Sequence, residues 1–396
     1  ASGHIPPAEM MSISASCMSG IVAWRGHSTE VPEVDGRLPK GARVGAPERE
    51  GWEPSRKPLG SGGPKAGSVD VGREVQDLLV PSVRGAGFDD RPRQLRKEDF
   101  GKHLIHPGRT VYNENGRRMQ ILWETLERLE KASPYAMFHR AAQRNLARWR
   151  KEGKALPEGA PCRVLVRPGD WGEVTGQVTR EFGTMFAVLN MANAHAPGGG
   201  YTEGKIAQEE NMFRRTDCHF SLDPDPKRGE MDPRTRMYLK PETELLNGKH
   251  GKVYLDVRNP RVCIRGSEDR ESKDLGYRWL EEEDIFPFLE LRAAAVDLRC
   301  RAGMRGRFDE TEMRKRIVAQ FETLKAGGVR HAVLSAFGCG AFLNPAPDVA
   351  RLYREELEER LTDFDSVVFA VFNAGYGSDN FMPFKQEMES LVRAKS

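Results

Sequence analysis

An α/β fold, with a mixed or parallel sheet covered by helices on both faces, is predicted by three features of the sequence. Short apolar runs recur as strand candidates, longer runs with helical spacing separate them, and a glycine turn closes one of them. The runs are RVLVR at 163–167, TMFAVLNMA at 184–192, HAVL at 331–334 and SVVFAVFNAG at 366–375, the last being the most hydrophobic strand in the chain. Strands separated by helices need crossover connections, which lay helices over the sheet.

Bulk properties narrow the class. The chain has 396 residues and 38% hydrophobic content, enough for one large or two medium domains with a real core. No run of 18 apolar residues occurs, and the N-terminal stretch ASGHIPPAEMMSISASCMSGIVAW lacks the basic start and apolar segment of a signal peptide. An intracellular protein, cytoplasmic or nuclear, is the expectation, although a start at Ala1 is also what trimming of a longer chain would leave. A formal charge of +3 gives no overall bias toward nucleic acid or membrane, so neither is expected as a partner. The six cysteines are scattered without a CxxC pair, as in a reducing compartment. HLIH at 103–106 has no third ligand nearby, and no metal or cofactor is expected.

Three regions follow from texture. Residues 1–95 mix Gly, Pro, Ser and charge without a period and are expected to be loosely structured, though Trp24, Trp52 and Leu78 to Val80 could dock on a folded domain. Residues 96–159 form a helical accessory region: Ile121, Leu122, Leu126, Leu129, Phe138, Ala142 and Leu146 recur at helical spacing, in two helices divided near Ser133 and Pro134. Their Arg and Lys residues read as a solvated face. Residues 160–396 form the main domain. It begins with a strand at 163–167, a short helix at 175–182 and a second strand at 184–192, and continues with strand segments at 251–256 and 262–264. A helix at 308–325, the strand 331–334 running into a glycine turn, a helix at 348–361 and the strand from 366 complete it.

The chain is organised around Asn190 to Asp217, NMANAHAPGGGYTEGKIAQEENMFRRTD. In open α/β sheets ligands collect at the carboxyl ends of strands, where loops meet helix N-termini with unpaired N–H groups. Gly198, Gly199 and Gly200 stand at such a place, and three glycines let a backbone wrap phosphate oxygens closely; a turn without ligand is the commoner meaning of GGG alone. GGYTEGKI at 199–206 nearly satisfies the P-loop pattern, but Ile206 cannot supply the hydroxyl that ligates magnesium. In the helix that follows, Glu210, Arg214 and Asp217 stand at i, i+4 and i+7, so they share a face that Glu209 does not. A charged surface helix with a Glu210–Arg214 pair is the competing reading. Cys218 and His219 are adjacent and point apart on a helix, so Cys218 reads as a packed thiol, as does Cys339.

The GGG triplet, seven residues and then Gln208, Glu209 and Glu210 resemble the signature of the poly(ADP-ribose) glycohydrolases of microbial type. The resemblance covers about 160–385 and implies a three-layer macrodomain, a mixed β-sheet flanked by helices. Asn193 resembles the family asparagine that contacts the ribose next to the scissile bond. LSAFGCGAFLNP at 334–345 resembles the second loop, for diphosphate and ribose, and brings Ser335, Phe337, Gly338, Cys339, Gly340, Ala341 and Phe342 as ligand-binding candidates, Phe342 as the aromatic that packs on the ligand. Asp170 sits where such domains present an acid to the adenine amine.

What the resemblance implies is hydrolysis at C1″ of an ADP-ribose, with Glu210 as the proton donor that then activates water, Glu209 holding the ribose and the glycine loops orienting the diphosphate. Asp217, Asp223 and Asp225 depart from the family pattern. Extra carboxylates would suit a guanidinium leaving group, so protein-linked ADP-ribose, including arginine-linked mono-ADP-ribose, is expected as substrate, with Asp217 as a supporting catalytic acid. The alternatives are a polymer-degrading glycohydrolase and a non-catalytic ADP-ribose reader. ADP-ribose and ADP-ribosylated proteins are the implied partners.

Overall fold

A computed structural model describes residues 113–130, 132–153, 160–299, 306–373 and 379–393, except 225, 226, 228 and 233. The segment at 1–95, with Trp24, Trp52 and Leu78 to Val80, and the HLIH stretch lie outside the described residues. The described residues belong to Ser68–Ser396, the second of two units into which the chain divides.

The helical region is two helices, α1 (Glu114–Glu130) and α2 (Ala132–Glu152). The unit expected at 163–192 is β1 (Arg163–Pro168), α3 (Trp171–Phe182) and β2 (Ala187–Met191). Helix α3 starts four residues before the expected Thr175, because Asp170 in extended backbone accepts the Glu173 N–H and caps it; Gly183 in left-handed backbone closes it. After α4 (Gln208–Arg215) come the short strands β3 (Met231–Asp232) and β4 (Met237–Tyr238) and the helix α5 (Lys240–Leu246). They are followed by β5 (Tyr254–Leu255), β6 (Arg261–Cys263) and β7 (Phe286–Ala293). The chain finishes with α6 (Glu310–Ala326), β8 (His331–Leu334), α7 (Ala346–Glu358), β9 (Ser366–Val371) and α8 (Phe381–Arg393).

Seven strands make the main sheet in the order β1-β9-β8-β2-β7-β5, with β6 also on β7. The pairs from β1 across to β7 are parallel, and β5 and β6 run antiparallel to β7. Strands buried on both faces sort their side chains by the two-residue period. In β9, Val367, Phe369 and Val371 face a core shared with Ile317, Phe321, Leu352 and Phe384 of α6, α7 and α8. Val368 and Ala370 face the opposite core, with Leu126, Trp149, Val178 and Phe213 of α1, α2, α3 and α4. The result is the three-layer α/β architecture expected, a mixed sheet with helices on both faces.

Strand β7 has no counterpart among the elements read from the sequence, and it is central. FPFLELRA carries Pro287 and two charges, which argue against a buried strand. Pro287 is tolerated where β7 pairs antiparallel with Val262 of β6. Glu290 and Arg292 are fully buried. Arg292 Nε lies 2.9 Å from Glu290 Oε1, and Asn190 of β2 donates to Glu290 at 2.9 Å. Helix α8 was also unforeseen; Asp379 caps it by accepting the Phe381 N–H at 2.8 Å, and Phe384, Met388 and Leu391 bury its inner face.

The basic residues of α1 and α2 do not all form a solvated face. Arg118 is 1% exposed and pairs with Glu268 at 2.7 Å, which pins the segment 265–279 against α1. Burial alone would raise the Glu268 carboxyl, but hydrogen bonds from Arg118 and Tyr277 hold it below the ordinary value. Breaking a buried pair from one side leaves an uncompensated charge, at a cost of about 3–5 kcal/mol. Arg118→Met should therefore lower the free energy of urea unfolding by about 3 kcal/mol, and adding Glu268→Gln should recover part of that loss. A single variant as stable as the parent protein would show that the pair does not hold this wall.

Among the described residues no helix is long and apolar enough to cross a membrane.

Candidate active site

A cavity opens at the carboxyl ends of β2, β8 and β9, as expected for an open α/β sheet. Its floor is the first turn of α4 with Ile206 and Ala207 before it. Ser335, Gly338, Gly340, Ala341 and Phe342 of the second loop form one wall, and Asp170, Ser267, Glu268 and Arg270 form another.

Helix α4 is held to the sheet by its own first residue. Pairing of β2 with β8 stops at Val188, and beyond it the Gln208 side chain donates to Leu189 O at 2.8 Å and accepts the Met191 N–H at 2.9 Å. Its last turn is fixed by two buried arginines. Arg214 donates to Tyr277 Oη at 3.0 Å and to Lys205 O at 2.9 Å, not to Glu210. Arg215 pairs with Asp170, donates to Arg265 O at 3.0 Å and lies over the Trp171 ring. Acids in the first turn and cations in the last also match the helix dipole.

The triple glycine does something other than expected. The Gly198 N–H donates to Glu209 Oε1 at 3.1 Å, the Gly200 N–H to Glu210 Oε1 at 2.9 Å and the Gly199 N–H to Ala196 O at 2.9 Å. All three donors are committed inside the protein, and none of the three residues lines the cavity. The loop therefore positions the carboxylates in this structure rather than presenting amides to a diphosphate. Gly199 has φ of 59°, and a Cβ there would lie 2.5 Å from Glu210 Oε1, so glycine is required for the carboxylate to sit where it does.

The two glutamates are environmentally distinct, as the sequence suggested. Both oxygens of Glu209 are taken, Oε2 by the Asn193 N–H at 2.7 Å and Oε1 by Gly198. Burial first, and the neighbouring Glu210 second, push the Glu209 carboxyl well above its usual value. Glu210 uses Oε1 for Gly200, whereas its Oε2 makes no hydrogen bond among the described residues, and the side chain lines the cavity. Asn193 also lines the cavity; its Oδ1 accepts the His195 and Ala196 N–H groups at 2.8 and 2.9 Å, which shapes the approach to the glycines.

Free amide donors lie in the second loop. Among the described residues the backbone N–H groups of Gly338, Gly340, Ala341 and Phe342 make no hydrogen bond, whereas Cys339, Leu343 and Asn344 close the turn on Ala336, Gly340 and Gly338. Four unpaired donors along one turn are suited to an anion. Ser335 lines the cavity but donates its hydroxyl to Ala370 O at 2.8 Å. Phe337 is fully buried in the core and Cys339 does not line the cavity; burial pushes its thiol up. Asp170 reaches the cavity, but its oxygens already accept the Glu173 N–H and pair with Arg215.

Asp217 does not share a face with Glu210. Helix α4 ends at Arg215, Thr216 is extended at φ −136° and ψ 178°, and Asp217 turns into the protein, fully buried and away from the cavity. Its oxygens accept the Val262 N–H at 2.8 Å and meet His139 Nε2 at 2.9 Å. Burial alone would push its carboxyl up, but His139, Arg261 and the Val262 N–H hold it below the ordinary value. Asp223 is exposed and does not line the cavity, and Asp225 lies outside the described residues. Asp217 and Asp223, two of the carboxylates expected to meet a guanidinium, are thus not at the site. Arg270, Arg299, Phe372 and Asn380 line it without having been anticipated; Arg299 follows the unrecognised β7, and Phe372 is the first residue after β9.

Asp217→Ala should cost about 3 kcal/mol in urea unfolding at neutral pH, because Val262 N–H and Arg261 lose a buried partner. A carboxyl depressed in the folded state contributes above its unfolded value, near pH 3.9, and loses that contribution as pH falls through its folded value. The stability gap between the two proteins should therefore narrow below about pH 4. A variant that keeps its stability but loses activity would return Asp217 to the chemistry.

Residues 106–241 match the family model described as the microbial-type PARG catalytic domain, a span that includes both the glycine loop and the glutamate pair. The match supports the family reading of the GGG and QEE signature. Similar solved structures include poly(ADP-ribose) glycohydrolase (PARG) from Thermomonospora curvata, 23% identical, covering 68% of this chain and 98% of that one with a TM-score of 0.44. The same enzyme bound to the inhibitor ADP-HPD is 22% identical, with coverage of 68% and 98% and a TM-score of 0.43. The Deinococcus radiodurans enzyme in complex with ADP-ribose is 22% identical, with coverage of 64% and 92% and a TM-score of 0.41. No curated protein matches the chain.

Proposed function

We propose that the protein is a glycohydrolase of poly(ADP-ribose) that cuts at C1″ of an ADP-ribose unit, with residues 160–396 as the catalytic domain and 96–159 as its helical support. The observation that carries this reading is the pair of adjacent glutamates held by backbone N–H groups, of which only Glu210 keeps an uncommitted oxygen at the cavity. A module that only binds ADP-ribose has no use for such an arrangement. The family match over the same residues supports the substrate class.

In this reading the second loop receives the diphosphate on the free N–H groups of Gly338, Gly340, Ala341 and Phe342, which fixes the ribose over α4. Glu210 in its protonated form gives its proton to the leaving oxygen as the C1″–O bond breaks and an oxocarbenium-like ribose forms. It then takes a proton from the water that attacks C1″. Glu209, through the second lone pairs of its oxygens, and the Asn193 side-chain NH2 hold the ribose hydroxyls beside it. Arginine-linked ADP-ribose lost its particular support when Asp217 proved to be buried in an internal ion pair.

Glu210→Gln should slow release of ADP-ribose from the polymer by about 10²- to 10⁴-fold, while ADP-ribose still binds. Release at the parent rate would remove Glu210 from the mechanism. Assaying arginine- and serine-linked adducts beside the polymer sets the linkage; faster release from arginine adducts than from polymer would overturn the polymer reading.

A further inference from the structure

Arg299, like Arg270, is a cavity cation that the described chemistry leaves unused. Its side chain is half-exposed, yet it is fixed in three ways. Nε and Nη2 form a fork on Asp297, at 2.8 Å to each carboxylate oxygen. Cζ lies over the Phe342 ring, 4.8 Å from its centre. The segment beneath it is stapled to the second loop, because Leu298 N–H donates to Phe342 O at 3.0 Å and the Asn344 side chain to Val296 O at 2.7 Å.

A guanidinium carries five N–H donors in a rigid plane, and the fork on Asp297 consumes one on Nε and one on Nη2. Three remain, on the side away from Asp297, and Arg299 makes no other hydrogen bond among the described residues. Arg299 lines the same cavity as Gly340, Ala341 and Phe342, whose backbone N–H groups make no hydrogen bond among the described residues. The field of Glu210 also reaches Arg299, although the fork on Asp297 acts on it more strongly. Free donors of one turn and the free edge of an anchored guanidinium therefore line one cavity together with Glu210. Because Arg299 covers one face of Phe342, a ligand sugar has only the other face or the edge of that ring to pack on.

Resting on the glycohydrolase reading, we propose that Arg299 binds the diphosphate of the ADP-ribose unit directly, completing the anion site begun by the Gly338–Phe342 turn and fixing how far C1″ lies from Glu210. A charge-assisted contact to a phosphate oxygen is about twice as strong as a neutral one, and a pre-positioned guanidinium loses little entropy on making it.

The test is calorimetric titration of ADP-ribose, and separately of adenosine, into the full chain and into Arg299→Gln and Arg299→Lys. The expected result is about tenfold weaker ADP-ribose binding for Arg299→Gln, with adenosine binding changed by less than about twofold. Arg299→Lys, which keeps the charge but not the fork, should fall between. The salt dependence of ADP-ribose binding should be shallower in Arg299→Gln than in the parent. Unchanged ADP-ribose affinity in Arg299→Gln overturns the proposal. So does an equal loss for adenosine, which would make Arg299 part of the wall rather than a phosphate ligand. Failure of the parent protein itself to bind ADP-ribose overturns the glycohydrolase reading, and this proposal with it.

Discussion

Two neighbouring carboxylates in a protein interior repel one another and resist desolvation, and they stay only where donors hold them. Here the donors are backbone N–H groups of Asn193, Gly198 and Gly200, reached at 2.7, 3.1 and 2.9 Å. Much of the surrounding structure follows from keeping those three donors in place. Strand β2 ends beneath them, Gln208 splices α4 onto the strand edge that β8 has vacated, and Gly199 leaves the room that a side chain would take from Glu210. The buried arginines at the far end of α4 lock its axis, so the glutamates cannot drift from their donors.

A second charged layer lies below. Arg292 of β7 meets Glu290, Glu230, Tyr238 and Ser221, and Asn190 joins Glu290 from β2, all of them buried or nearly so. This network spans the strand pair from which the glycine loop springs, and the positive charge of Arg292 works against the rise in the Glu209 carboxyl. The network ties β2 to β7 at the sheet end that carries the site. The two walls of the cavity are fixed separately, one by the Arg118–Glu268 pair to α1 and the other by the staples between 294–299 and 338–344.

The parts legible in the sequence were those with short-range signals. Strands β1, β2, β8 and β9 announce themselves as apolar runs, the helices of 114–152 by period, and the glycine and glutamate signature by spacing alone. Strand β7 was illegible because its charges are compensated by Asn190 and Glu230, residues far away in the chain. Arg118 could not be told from a solvated arginine for the same reason, its partner Glu268 lying 150 residues on.

The sequence by itself determined that a glycine triplet, a helix start and two unequal glutamates share one site, since those facts depend on local spacing and backbone freedom. Only the tertiary structure decided which groups the amides serve. The first loop spends its donors on Glu209 and Glu210, and the second keeps its own free. It also decided Asp217, because helical register holds only while the helix lasts. With Thr216 extended, the carboxylate two turns on from Glu210 became a buried partner of Val262 and His139. Hydrogen-bond partners are set by where distant segments meet, and no spacing along the chain encodes that.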